Sequence, residues 1–184
     1  MKIAISGLMC TGKTTIANII KELHYEYKIY SFSQKVKDLA QELFTMDPDL
    51  KDRSLLINIA DKMREIDEDV WAKYTIKQSK DNHFCIIDDL RFQNELDLLI
   101  NEKDWIFIVL DIDENIRLER LQQLYPNNYE DHIKNMNHLS EKGDIKFNEE
   151  CKILYLDANN SLINIKNNIN DFIINIIFNK YEEI

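Results

Sequence analysis

The chain has 184 residues, a formal net charge of −10 and a pI near 4.9. Its 45% hydrophobic and 10% aromatic content excludes a disordered chain, and the length fits one domain with a real core. The acidity excludes a broad nucleic-acid or anionic-membrane surface, so neither partner is expected, and any phosphate binding needs a local basic pocket.

The opening segment, 1–9, is too short for a secretion signal and is broken by Gly7. No apolar stretch is long enough to cross a bilayer. Short runs rich in Ile and Val, at 2–6, 29–32, 84–88, 105–111 and 152–156, predict five strands. Helical patterns at 13–25, 33–44, 51–67, 70–79, 93–101, 113–124 and 162–179 alternate with them. Continuous apolar strands between helices predict a five-stranded parallel sheet covered on both faces. The segment 125–147, with Pro126, Asn127, Asn128 and Gly143, lacks clear periodicity and is either a lid or a plain surface loop. Cys10, Cys85 and Cys151 are odd in number and widely spaced. They read as free thiols in a reducing, cytoplasmic compartment. Neither they nor the four histidines show metal-ligand spacing.

Between the first strand and first helix lies Gly7-Leu8-Met9-Cys10-Thr11-Gly12-Lys13-Thr14. It is a complete G-x-x-x-x-G-K-[ST] in the context that motif needs. Gly7 and Gly12 allow backbone that a side chain would block, and together they are two of only three glycines in the chain. The loop from Met9 through Thr15 would cradle phosphates with backbone N–H groups, Lys13 would meet the β- and γ-phosphates, and Thr14 would ligate Mg²⁺. The expected fold is therefore an α/β P-loop NTPase three-layer sandwich, with ATP and Mg²⁺ as cofactors. Cys10 reads as a tolerated loop residue rather than a nucleophile.

The strand at 84–88 leads into Asp88-Asp89-Leu90-Arg91. Carboxylates at a strand's carboxyl end can hold Mg²⁺ and orient an attacking oxygen, while Arg91 can grip an acceptor phosphate. Helix capping by Asp88 or Asp89 is the plainer reading. Asp89-Leu90-Arg91-Phe92-Gln93-Asn94-Glu95 resembles the Asp-x-Arg-Phe-x-Asn-Glu signature of the viral (phage-type) deoxynucleoside monophosphate kinases. Phe32-Ser33-Gln34-Lys35-Val36-Lys37, Arg53-Ser54-Leu55-Leu56, Met63-Arg64-Glu65, Trp71-Ala72 and His138-Leu139-Ser140-Glu141 resemble further elements of that family, in order. Asp88 stands where the family has a small residue; Gln93 and Leu139 replace prolines.

The resemblance implies transfer of a phosphoryl group from MgATP to a deoxynucleoside monophosphate. Residues 33–80 would be the acceptor-binding region and 117–147 the lid. Asp89 fits the motif register and is favoured over Asp88 as the catalytic carboxylate, with both as candidate metal ligands beside Thr14. Lys37, Arg53, Arg64 and Arg91 are implied acceptor-phosphate cations, with Phe32, Trp71, Phe92 and Glu95 around the acceptor. Arg53 and Arg64, eleven apart, fall on one side of a helix. Trp71 and Phe32 could stack on the base, yet a large aromatic in a helical pattern is more often core. Arg117 and Arg120, at i, i+3, are candidate lid arginines for the transferring phosphate, and Asp157 and Asn159 mark the expected adenine loop. A homodimer is a further expectation by analogy, and a viral source would place the chain in a host's cytoplasm.

The alternatives are dephospho-coenzyme A kinase or another small-metabolite kinase. In a different class stands a P-loop ATPase or regulatory module. A small GTPase is excluded, because Asn-Lys-x-Asp and Asp-x-x-Gly are absent from the sequence.

Overall fold

The computed structural model describes residues 1–49, 51–102, 104–143 and 145–182, with side chains in the last helix described through residue 176. Five strands, β1 (Lys2–Ser6), β2 (Lys28–Tyr30), β3 (Cys85–Leu90), β4 (Trp105–Asp111) and β5 (Lys152–Asp157), form one parallel sheet in the order β2-β3-β1-β4-β5. The helices are α1 (Lys13–Leu23), α2 (Gln34–Phe44), α3 (Arg53–Ile66), α4 (Val70–Ser79), α5 (Gln93–Asn101), α6 (Glu114–Leu124), α7 (Tyr129–Lys134) and α8 (Leu162–Glu182).

Each central strand is apolar on both faces, and its period of two sorts side chains into two cores. Ile3 and Ile5 of β1, Ile86 of β3 and Ile106, Ile108 and Leu110 of β4 pack with α1 and α8. Ala4, Cys85, Ile87, Trp105 and Phe107 face the opposite way, towards Val36 and Ala40 of α2, Leu56 of α3, Trp71 of α4 and Leu96 of α5. This is the three-layer sandwich expected from the alternation.

One irregularity shapes the site. β1 pairs Ala4 with Ile87 but Ser6 with Leu90, so β3 carries one extra residue there, at Asp88-Asp89. A bulge of this kind bends the strand and re-aims side chains. Beyond it the inward parity changes, and Leu90 rather than Asp89 joins the second core.

The strand and helix edges differ from expectation mainly around this point. β2 stops at Tyr30 rather than 32 because backbone N–H groups of Phe32 and Ser33 are drawn to the Asp89 carboxylate. β3 runs to Leu90 rather than 88. The expectation that 125–147 lacks regular structure is corrected. Among its described residues are α7 and a 3₁₀ turn, Leu139–Glu141. Six residues are too few to display a helical period in sequence.

Candidate active site

The phosphate loop leaves the centre of the sheet, where the carboxyl end of β1 lies between β3 and β4. Gly7 has φ +149°, and a Cβ there would meet Thr11 Oγ1 at 2.8 Å and Leu110 at 3.1 Å. Space and backbone both require glycine. Gly12 has φ +103°, and a Cβ there would only just touch Arg120 Nη1, at 4.0 Å, so its requirement is conformational. Cys10 also takes a positive φ, 63°. Its thiol is pushed up by burial, with Lys13 working the other way, which fits a loop residue and not a thiolate nucleophile. Gly12 opens α1, whose first-turn N–H groups give that end of the loop a positive potential.

Lys13 is 7% exposed and donates to the carbonyls of Gly7 (2.7 Å) and Leu8 (2.6 Å). Burial, then Arg91 nearby, hold its ammonium well below the ordinary lysine range. A phosphate beside it would reverse that pressure.

The two strand-end carboxylates separate sharply. Asp88 accepts from the Thr14 hydroxyl at 3.1 Å, and its other oxygen, Oδ1, is buried without a hydrogen-bond partner. Burial, then Asp89, push its pKa up. Asp89 accepts from the Ser31 hydroxyl (2.6 Å) and from the backbone N–H of Phe32 (2.7 Å) and Ser33 (2.9 Å). Burial opposes its charge, but these donors outweigh it and keep the pKa low. Of the two, Asp88 and not the favoured Asp89 meets Thr14 of the phosphate loop. The bulge turns Asp88 to Thr14 and Asp89 to the 31–33 loop.

A cavity of about 810 Å³ runs from this loop into the helical region. It is lined by Met9, Cys10, Thr11, Gly12, Lys13, Thr14 and Thr15 on one side, and by Phe32, Lys37, Arg53, Arg64, Trp71, Asp88, Asp89, Arg91, Phe92 and Glu95 on the other. Asp52 caps α3 by accepting from Leu55 N–H at 2.8 Å. That helix points Arg53 and Arg64 to the same cavity, as the spacing requires. Arg64 lies 4.2 Å from the Phe92 ring centre and 3.8 Å from Glu95. Glu95 ties off α5 by accepting from the N–H groups of Arg91 (2.9 Å) and Phe92 (3.1 Å). Its burial pushes the carboxyl up to about 7. Phe32 and Trp71 line the cavity yet belong to the second core, and Trp71 Nε1 donates to the Ala60 carbonyl at 3.1 Å.

Not every expected residue arrives. Arg117 does not line the cavity. It is buried and held on its own helix by a two-pronged pair with Glu114, at 2.7 and 2.9 Å through Nη2. Arg120 does line it, donating to the carbonyls of Thr11 (3.4 Å) and Ala158 (2.9 Å). It thus bridges the phosphate loop to the turn after β5. In that turn Asp157 accepts from Asn159, and their neighbours Ala158 and Asn160 line the cavity instead. Gly7 also lies outside the lining, at the loop's base.

Glu141 was missed as a site residue, although His138-Leu139-Ser140-Glu141 was singled out. Its carboxylate accepts Met9 N–H at 2.7 Å and Arg53 Nη2 at 2.7 Å, and it pairs with Arg91 Nη1. Burial resists its charge, but Arg91 and Arg53 win and keep its pKa low. Tyr125 and His132 also line the cavity, stacked 4.3 Å apart. The likeness of 138–141 to a family element was the signal for Glu141, whereas nothing in the sequence marks Tyr125 or His132.

No group of three or more His, Cys, Asp or Glu suited to a metal occurs among the described residues. No helix among them is long and apolar enough to cross a membrane.

Comparison with curated protein sequences returns no match. Among solved structures, a gluconokinase from Sinorhizobium meliloti 1021 superposes with a TM-score of 0.65 at 13% identity, covering 99% of this chain and 96% of its own. A sugar kinase from Janibacter sp. HTCC2649 gives 0.57 at 11%, covering 94% and 93%. The Mycobacterium tuberculosis APS kinase, solved with AMPPNP and APS, gives 0.52 at 12%, covering 94% and 96%. At such identities the likeness speaks for the fold, which is that of P-loop kinases. The sequence model of an AAA domain matches residues 3–154, most of the chain, and the protein therefore belongs to this AAA-domain family of P-loop proteins.

Proposed function

We propose that the protein is an ATP-dependent kinase that transfers the γ-phosphoryl group of MgATP to the phosphate of a deoxynucleoside monophosphate, giving ADP and the diphosphate. The observation that carries this reading is the convergence of Lys37, Arg53, Arg64 and Arg91, from α2, α3 and the β3–α5 connection, on the cavity that the phosphate loop opens into. An acidic chain that gathers four cations opposite a triphosphate cradle is equipped for a second phosphorylated substrate.

ATP's phosphates fit the backbone nest between Met9 and Thr15, with Lys13 exchanging its carbonyl partners for phosphate oxygens. Arg120, Leu162, Ile165 and the Ala158–Asn160 turn border the end suited to the base. Thr14 and Asp88 would hold Mg²⁺, because Asp88 brings a buried oxygen that has no protein partner beside the Thr14 hydroxyl. That ion would supply charge neutralisation on the transferred group. Asp89, held by three donors, shapes the loop that carries Phe32 and Ser33 into the acceptor side. Arg91 and Arg53 orient the acceptor phosphate in line, and Arg64 with Phe92 and Glu95 border its nucleoside.

Coupled ADP release with deoxynucleoside monophosphates, ribonucleotides, dephospho-coenzyme A, gluconate and adenylyl sulfate is the test. Turnover with a deoxynucleoside monophosphate is expected. Turnover with only a non-nucleotide acceptor, or ATP hydrolysis unaffected by every acceptor, overturns the reading.

A further inference from the structure

Residues 125–143 form a strap that lends Tyr125, His132, His138 and Ser140 to the wall of the cavity and is tied to α3 by its own side chains. Asp131 accepts from the N–H groups of Arg53 (2.7 Å) and Ser54 (3.1 Å) and from the Ser54 hydroxyl. Asn135 donates to Ser54 Oγ at 3.0 Å, and His138 Nε2 lies 2.9 Å from Asp61. These contacts deliver one buried carboxylate, Glu141, to the junction between the two halves of the site. One oxygen takes the Met9 N–H of the phosphate loop, and the other takes both Arg53 and Arg91. Arg91 also donates to the Ser140 carbonyl at 3.0 Å. Arg53 keeps its buried Nε without a hydrogen-bond partner.

We propose that Glu141 is a positioning residue that yokes the phosphate loop to the Arg53–Arg91 pair, so that docking of the strap aligns the donor and acceptor phosphates together. The inference rests on the kinase reading for its substrates, and on geometry alone for the yoke. A carboxylate between two guanidinium groups fixes their planes and also lowers their pull on any other anion. Aligning them serves the transition state more than ground-state binding.

The test compares wild type with Glu141→Gln and Glu141→Asp. Glutamine has one acceptor oxygen for three donors and no charge. With MgADP saturating, inorganic phosphate titrated by calorimetry is expected to bind Glu141→Gln about three-fold or more tightly than wild type. With the acceptor found by the ADP-release panel, kcat falls about 100-fold while the acceptor KM is unchanged or lower. Glu141→Asp recovers part of kcat. A purely structural role would instead raise KM, weaken phosphate and lower the melting temperature in proportion. Phosphate bound equally or more weakly by Glu141→Gln, no phosphate binding by wild type, or a kcat within two-fold of wild type overturns the proposal. If no deoxynucleotide is turned over but the phosphate shift appears, the kinase reading fails and the yoke stands.

Discussion

The two halves of the cavity are built by different means. The donor half is a backbone device: two glycines, a left-handed cysteine and a helix N-terminus within one short continuous segment. The half proposed for the acceptor is a side-chain device, in which Arg53, Arg64, Arg91, Glu95 and Glu141 come from segments far apart in sequence and hold one another through ion pairs. Backbone geometry tolerates almost no substitution at its key points. A network of charged side chains tolerates exchange of partners, and so lends itself to changing acceptors on a constant donor site.

The sharpest way to break this contrast is at the donor cation. Lys13→Ala should lower phosphoryl transfer about 1,000-fold, read by steady-state ADP release, with folding intact by circular dichroism. A loss below ten-fold would mean that the loop is not the donor site. Next is Gly7→Ala, whose Cβ meets Leu110 and Thr11. It should cost about 3 kcal/mol, a melting temperature lower by roughly 10 °C, and abolish nucleotide binding. Gly12→Ala, whose Cβ comes only within 4.0 Å of Arg120 Nη1, should be milder in stability.

The paired carboxylates sharpen the comparison further. Asp88→Asn should lower kcat about 100-fold and shift the Mg²⁺ dependence with little change in stability. Asp89→Asn should cost about 2 kcal/mol in urea unfolding, because one amide oxygen replaces two carboxylate oxygens serving three donors. Equal kinetic losses, with no stability difference, would contradict the division of labour.

A pH dependence comes from the half opposite the phosphate loop. Glu95 is raised from 4.5 to about 7, so the folded state holds a proton that the unfolded state has released between those values. Its contribution is fully present below about 4.5 and is lost as pH rises through about 7. Glu95→Gln should therefore flatten the pH dependence of stability in that window by up to about 3 kcal/mol relative to wild type. Glu141, Asp89 and Asp131, whose pKa values are lowered, act in the opposite sense as pH falls. The difference between the two proteins isolates Glu95.

The donor half was legible in sequence because each of its requirements is local. A glycine at a positive φ, a lysine opening a helix and an apolar strand before them are all neighbours. Arg53 and Arg64 were legible for a similar reason, since helical spacing alone places them on one side. Arg117 lies outside the cavity lining, because the same spacing rule says which residues share a face but not which partner is closer. Glu114, one turn back, claimed it. Asp88 and Asp89 were ordered by motif register, which carries no information about a bulge in the strand pairing. What Glu141 would meet was not legible, because its partners at Met9, Arg53 and Arg91 are brought together only by the completed sheet.

The bulge in β3 sets a limit on how this chain can change length. With side chains alternating at a period of two, removing one residue between Cys85 and Arg91 would restore an even ladder against β1 but exchange what Asp88 and Asp89 face. The carboxylate would leave Thr14, and the 31–33 loop would lose its anchor. Single-residue deletions should thus be purged here, while the turn at 80–84 leading into the same strand can absorb them. A comparison of natural relatives by indel position, rather than by identity, would trace the site along the chain.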